Sequence, residues 1–208
     1  MKKDKMIIAI IFCIILLIGG FIVINPFSKN KIQTITVDEA INKNDKVNEL
    51  DKDRILIIYF SRSGNTETIA NFIHASVGGE LLKLETKVPY PSEYNDVLDQ
   101  AQKERANNAR PELKTEININ DYDVIFIGYP LWCYDIPMAV YTFFDSYDFK
   151  DKIVIPFMTH GTSGESGTFK KIGSYLDKAT VLKGFNVYGS EALESKEAVN
   201  DWLKELGF

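Results

Sequence analysis

Three short stretches of the chain gather residue types suited to holding a ligand. The first is Ser61-Arg62-Ser63-Gly64-Asn65-Thr66, with hydroxyls and an amide around one glycine just before a helical pattern. A helix N-terminus carries unpaired N–H groups and a partial positive charge, so a loop of this kind suits a phosphate. No lysine follows the glycine as a nucleoside-triphosphate loop requires; Glu67 stands near that place, and no G-x-G-x-x-G pattern is present. An ordinary capped strand-to-helix turn remains the alternative.

The second stretch is Pro130-Leu131-Trp132-Cys133-Tyr134-Asp135. Loops seldom expose two large aromatics unless something covers them, and a planar ring stacked on Trp132 would do so. Packing of Trp132 and Tyr134 over the sheet edge, or against a partner protein, would also account for them. The third stretch, Thr159 to Gly167, carries His160, Gly161, Thr162 and Gly164. Glycines there let backbone amides reach the polar edge of a ring, and an imidazole can hydrogen-bond or move a proton. A flexible surface loop with an ordering histidine is the plainer reading.

The elements that must position these loops alternate along the chain. Ile55 to Phe60 and Val124 to Ile127 are continuous apolar runs, as in strands buried on both faces. Leu81–Leu84, Ile153–Met158 and Val181–Tyr188 complete five predicted strands. Helical spacing appears in Ile69, Ile73 and Val77, which end at Gly78-Gly79, and in Tyr94, Val97, Leu98 and Ala101 on one face of a helix over 93–107. Further helices are predicted from Pro137 to Ser146 with Asp135 as cap, through Phe169, Ile172 and Leu176, and through Val199, Trp202, Leu203 and Leu206. Alternating strands and helices mean an α/β fold with a parallel sheet covered on both faces, whose ligands lie beyond the carboxyl ends of the strands. All three loops fall there.

The first loop resembles the flavodoxin phosphate loop, Ser/Thr-x-Ser/Thr-Gly-x-Thr, without a mismatch. Gly128-Tyr129-Pro130-Leu131-Trp132, Pro137, Tyr141-Thr142-Phe143 and Ile155-Pro156-Phe157-Met158-Thr159-His160-Gly161 resemble a small bacterial flavodoxin-like subgroup. The resemblance covers residues 54–208. It implies a three-layer sandwich with a five-stranded parallel sheet in the order 2-1-3-4-5. It also implies FMN as cofactor, its phosphate on Ser61, Ser63, Gly64, Asn65 and Thr66 with Arg62 in the same loop. The ring is then expected among Pro130, Leu131, Trp132, Cys133 and Tyr134 on one side and His160, Gly161, Thr162 and Gly164 on the other. Well-studied flavodoxins cover the outer ring face with a tyrosine from the loop after strand four, where this chain has His160 and glycines.

Such a protein would carry electrons between redox partner proteins. An FMN-dependent NAD(P)H:quinone-type oxidoreductase and a binding module of this fold without FMN are the alternatives. The 208 residues carry a formal net charge of −5, which excludes a nucleic-acid-binding surface built on clustered cations. Residues 54–208 hold 16 Lys and Arg against 22 Asp and Glu, an acidic surface suited to a basic redox partner. The two cysteines, Cys13 and Cys133, suggest no disulfide framework. Ahead of the domain, Met6 to Ile24 is uncharged and apolar, and as a helix would span roughly 28 Å, close to a bilayer's hydrocarbon thickness. Residues 1–25 therefore read as a single-pass signal anchor in the cell membrane with the domain outside the cytoplasm. Residues 26–53 read as a polar tether with a short helix possible over Val37–Asn44.

Overall fold

The computed structural model describes residues 35–43 and 51–208. Six strands, β1 (Ile55–Tyr59), β2 (Glu80–Lys83), β3 (Val124–Pro130), β4 (Ile153–His160), β5 (Thr180–Val181) and β6 (Phe185–Tyr188), form one parallel sheet. The order is β2-β1-β3-β4-β5, with β6 also on β4, and Ile57, Phe126 and Ile155 lie in register across the centre. β1 and β4 are buried throughout and β3 nearly so, as continuous runs of branched and aromatic residues require.

Side-chain alternation divides the core into two layers. Leu56, Ile58, Ile125 and Ile127 face α4 (Met138–Ser146) and α5 (Thr168–Tyr175), and α3 (Tyr94–Ala106) packs beside α4. Ile55, Ile57, Val124 and Phe126 face α1 (Val37–Lys43), α2 (Asn65–Val77) and α6 (Lys196–Leu206). The flavodoxin-like α/β sandwich and its 2-1-3-4-5 order are as expected from the sequence.

Four local readings change. The stretch 181–188, read as one strand, is broken between β5 and β6. The break lies opposite Pro156. Val154 O accepts from Leu182 N at 3.0 Å, so by strand alternation the missing N–H of Pro156 falls on that same side. Gly184 fills the gap, and a Cβ there would stand 2.7 Å from the Phe169 ring and 2.8 Å from the Pro156 oxygen.

The tether reading also changes, over residues 35–43. Thr36 and Glu39 form a reciprocal capping box, Thr36 N donating to the Glu39 carboxylate at 2.8 Å and Glu39 N to the Thr36 hydroxyl at 3.2 Å. Val37, Ala40 and Ile41, at helical spacing, are buried in the same core layer as α2 and α6. The proposed anchor, Met6 to Ile24, lies outside the described residues. Among the described residues no helix is long and apolar enough to cross a membrane.

Asp135 does not cap α4. The cap position is Pro137, without a side-chain hydrogen bond, because the Asp135 carboxylate is drawn to Lys171 instead. Finally, Tyr94 begins α3 but is exposed, while Val97 and Ala101 are buried. The helix stripe extends past the sheet and out over its carboxyl end.

Candidate functional site

A cavity of about 400 Å³ opens beyond the carboxyl ends of β1, β3 and β4. It is bounded by Ser61–Ser63 with Asn65 and Thr66, by Pro130–Cys133, and by Thr159–Gly161; Gly189 and Ser190 close another side. Its apolar wall is the face of α3 that carries Tyr94, Val97, Leu98 and Ala101.

The first loop delivers the start of α2 to this cavity. Gly64 is the helix N-cap at φ +89°, a left-handed conformation that disfavours any side chain. The cap residue brings no side chain of its own, so the Asn65 and Thr66 amides remain available, together with the exposed Ser63. Ser61 is buried and its hydroxyl lies 3.4 Å from the Glu67 amide. Thr66 is turned inward: it is 1% exposed, and its hydroxyl shares a 2.9 Å hydrogen bond with that of Thr159 at the end of β4. Arg62 reaches across the rim and donates to the Ser92 carbonyl. Behind this loop lies a second hollow of about 710 Å³, whose lysines are engaged: Lys83 with Glu67, Lys87 with Glu112 and Lys114 with Glu85.

The second loop is a two-residue hairpin. Trp132 N donates to Asp135 O at 3.0 Å and Asp135 N to Trp132 O at 2.9 Å, with Cys133 and Tyr134 at φ 50° and 61°. Two positive φ values define the mirror-image turn usually made by Asn-Gly, so a Cys-Tyr pair holds backbone strain here. Ion pairing holds the hairpin in place. The buried Asp135 carboxylate accepts both Lys171 Nζ contacts, at 2.7 and 2.8 Å, with Ile136 N at 2.8 Å and Tyr141 OH at 3.2 Å. Arg105 lies 3.6 Å from the same carboxylate and donates to Cys133 O at 2.6 Å. Burial pushes the Cys133 thiol above its ordinary range, while the Arg105 charge opposes the shift. Trp132 packs edge-on against Phe60 and Tyr90, with ring centroids 5.1 and 5.0 Å away, and its remaining surface borders the cavity.

His160 belongs to β4 rather than to the loop after it. It is 7% exposed, its ring centroid is 4.5 Å from that of Tyr188, and its Nδ1 is buried with no hydrogen-bond partner among the described residues. Gly189 comes so close to the first loop that a Cβ on it would stand 2.6 Å from Asn65 Nδ2.

Of the residues singled out from the sequence, Ser61, Arg62, Ser63, Asn65, Thr66, Pro130, Leu131, Trp132, Cys133, His160 and Gly161 border the one cavity. Gly64 shapes the loop without bordering it. Tyr134 points outward and is 70% exposed, and Thr162 and Gly164 lie farther along the third loop, off the lining. Sequence reasoning missed Gly189, Ser190 and the α3 face as parts of the lining, and named Thr159 only as the start of the third stretch. The signal for that face was present: Tyr94 continues the stripe of Val97, Leu98 and Ala101 beyond what a sheet can cover.

Residues 54–206 match the family model described as flavodoxin. Among solved structures, a candidate flavoprotein from Bacteroides eggerthii DSM 20697 is 29% identical, with a TM-score of 0.66 over 74% of this chain and 98% of the other. One from Bacteroides uniformis ATCC 8492 gives 29%, 0.66, 74% and 99%. A flavoprotein from Lactobacillus acidophilus NCFM, crystallised in complex with FMN, shares the fold at 24% identity and a TM-score of 0.58, over 68% of this chain and 97% of that one. No curated protein matches.

Proposed function

Because the chain belongs to the flavodoxin family, we propose that its cavity binds FMN non-covalently and that the domain passes electrons between partner proteins. The observation that carries this reading is the convergence of three separate loops on one cavity with a glycine-capped helix N-terminus at its edge. The donor set fits the cofactor. Ser61, Ser63 and the leading amides of α2 suit a phosphate, because a helix start and hydroxyls both stabilise negative charge. The span between Leu131–Cys133 and His160–Gly161 suits a planar ring, with the α3 wall covering its apolar part. The Lactobacillus relative in complex with FMN supports the choice of cofactor.

When bound, the flavin supplies the redox chemistry. The chain's own residues bind the phosphate, orient the ring and exclude water from it. The acidic surface of residues 54–208 favours encounter with a basic partner. The test is the visible spectrum of the protein after FMN addition and removal of free ligand, followed by reductive titration. A retained yellow spectrum that bleaches in two resolved one-electron steps is expected. Failure to retain FMN would sink the reading, and a single two-electron step with rapid NADH turnover would replace the carrier with a reductase.

A further inference from the structure

We propose that His160 is a fixed hydrogen-bond donor to the cavity's ligand, presenting Nε2–H to an acceptor atom of the bound ring. The inference deepens the flavin reading and rests on it for the identity of the ligand.

The argument starts from the two ring nitrogens. Nδ1 is sealed from solvent and nothing among the described residues donates to it or accepts from it. A proton on Nδ1 would bury an unsatisfied N–H, whereas a bare lone pair there leaves only an unused acceptor. Both cost something, but orphaned buried N–H groups are the rarer in folded proteins. A neutral imidazole carries one N–H, so with Nδ1 bare the proton sits on Nε2. Nε2 makes no hydrogen bond within the described chain and is not among the sealed atoms, so it is the nitrogen left to meet a ligand.

Packing holds the ring against a turn about Cβ–Cγ, which would put carbons where the nitrogens stand. Tyr188 packs against it at 4.5 Å, and the two residues are register partners on β4 and β6. Among the described residues, the charged side chains around the cavity are engaged elsewhere. Arg62 is committed to Ser92, Asp135 to Lys171, Arg105 to Cys133, and Glu165 to the Phe169 amide at 3.2 Å. The site thus selects a ligand that offers a hydrogen-bond acceptor at this edge, as the carbonyl oxygens and imine nitrogens of an isoalloxazine do.

The first test needs no ligand. Long-range ¹H–¹⁵N correlation on ¹⁵N-histidine-labelled protein, with His160→Gln as the assignment control, is expected to show the Nε2–H tautomer for His160 at pH 8. An Nδ1–H tautomer would overturn the proposal. The second test is FMN titration of the full chain. His160→Leu should weaken binding about 3- to 10-fold, the worth of one neutral hydrogen bond, while His160→Gln retains a donor and recovers part of the loss. Equal affinity of His160→Leu and the unsubstituted chain would also overturn it. If the unsubstituted chain fails to bind FMN, the flavin reading falls and the tautomer measurement still decides this one.

Discussion

Thr66 and Thr159 join their hydroxyls at 2.9 Å at the cavity floor, tying the first turn of α2 to the last residues of β4. Two of the loops that build the site are therefore fastened to each other before any ligand arrives. The same contact separates a structural hydroxyl from a ligand-facing one, since Ser63 in the same loop is exposed.

The separation has a measurable consequence. Thr66→Val should cost about 1–3 kcal/mol in denaturant unfolding, because it strands the Thr159 hydroxyl in a buried place. Ser63→Ala should leave stability within about 0.5 kcal/mol and instead weaken FMN binding. The reverse pattern would mean that Thr66 meets the phosphate and Ser63 does not.

Strain in the hairpin makes a second prediction. Tyr134 sits at φ 61° with its side chain in solvent and outside the cavity lining. Tyr134→Gly removes a left-handed penalty of about 1–2 kcal/mol, offset by glycine's greater chain entropy, for a net gain of about 0.5–1 kcal/mol. FMN affinity, read by fluorescence titration, should stay within about 2-fold if the turn geometry is kept.

Cys133 gives the third. Burial raises its thiol and Arg105 pulls it back, so the thiolate should form only above the pH at which an unhindered cysteine ionises. Alkylation of Cys133, followed by peptide mass spectrometry to distinguish it from Cys13, should therefore accelerate at unusually high pH. Arg105→Met should move that acceleration higher still. A shift downward would contradict the assigned role of the guanidinium.

Acid stability supplies the fourth. Partial desolvation raises the Asp145 carboxyl, but hydrogen bonds from Tyr175 OH at 2.6 Å and Arg110 Nε at 2.5 Å, with the Arg110 charge, win and lower it. A depressed carboxyl stabilises the fold above its unfolded value, roughly pH 4, and that contribution disappears as pH falls through the folded one. Asp145→Asn should thus be less stable than the parent at pH 7, by at most about 1 kcal/mol given its exposure, and the difference should shrink as the pH falls to about 2. Thermal melts at the two pH values would show it.

Much of this was legible in the residues alone. Strands such as Ile55–Tyr59 and Val124–Pro130 are buried on both faces, and a continuous apolar run has few other ways to be satisfied. The first loop was legible because hydroxyls around a glycine before a helix have a specific use. The broken fifth strand was not, since its cause is Pro156 on the neighbouring strand and the pairing is not written in the local pattern. The hairpin escaped because Cys-Tyr is the wrong chemistry for its turn type. Helix α1 was open as a possibility over Val37–Asn44, but its docking escaped because seven residues with three apolar positions look like linker until their partners are known. His160 was singled out for its chemistry, but only its neighbours reveal that Nδ1 has nothing to bond.

The docking of α1 also determines how the domain is presented. A Cβ on Gly207, just past the end of α6, would lie 3.5 Å from the Thr36 side chain, so the start of α1 lies beside the end of α6. Helices linking parallel strands run back against them, which puts that place at the pole where the strands begin. The cavity lies at the pole where they finish. Ile35, the first described residue, thus stands on the side of the domain away from the cavity mouth.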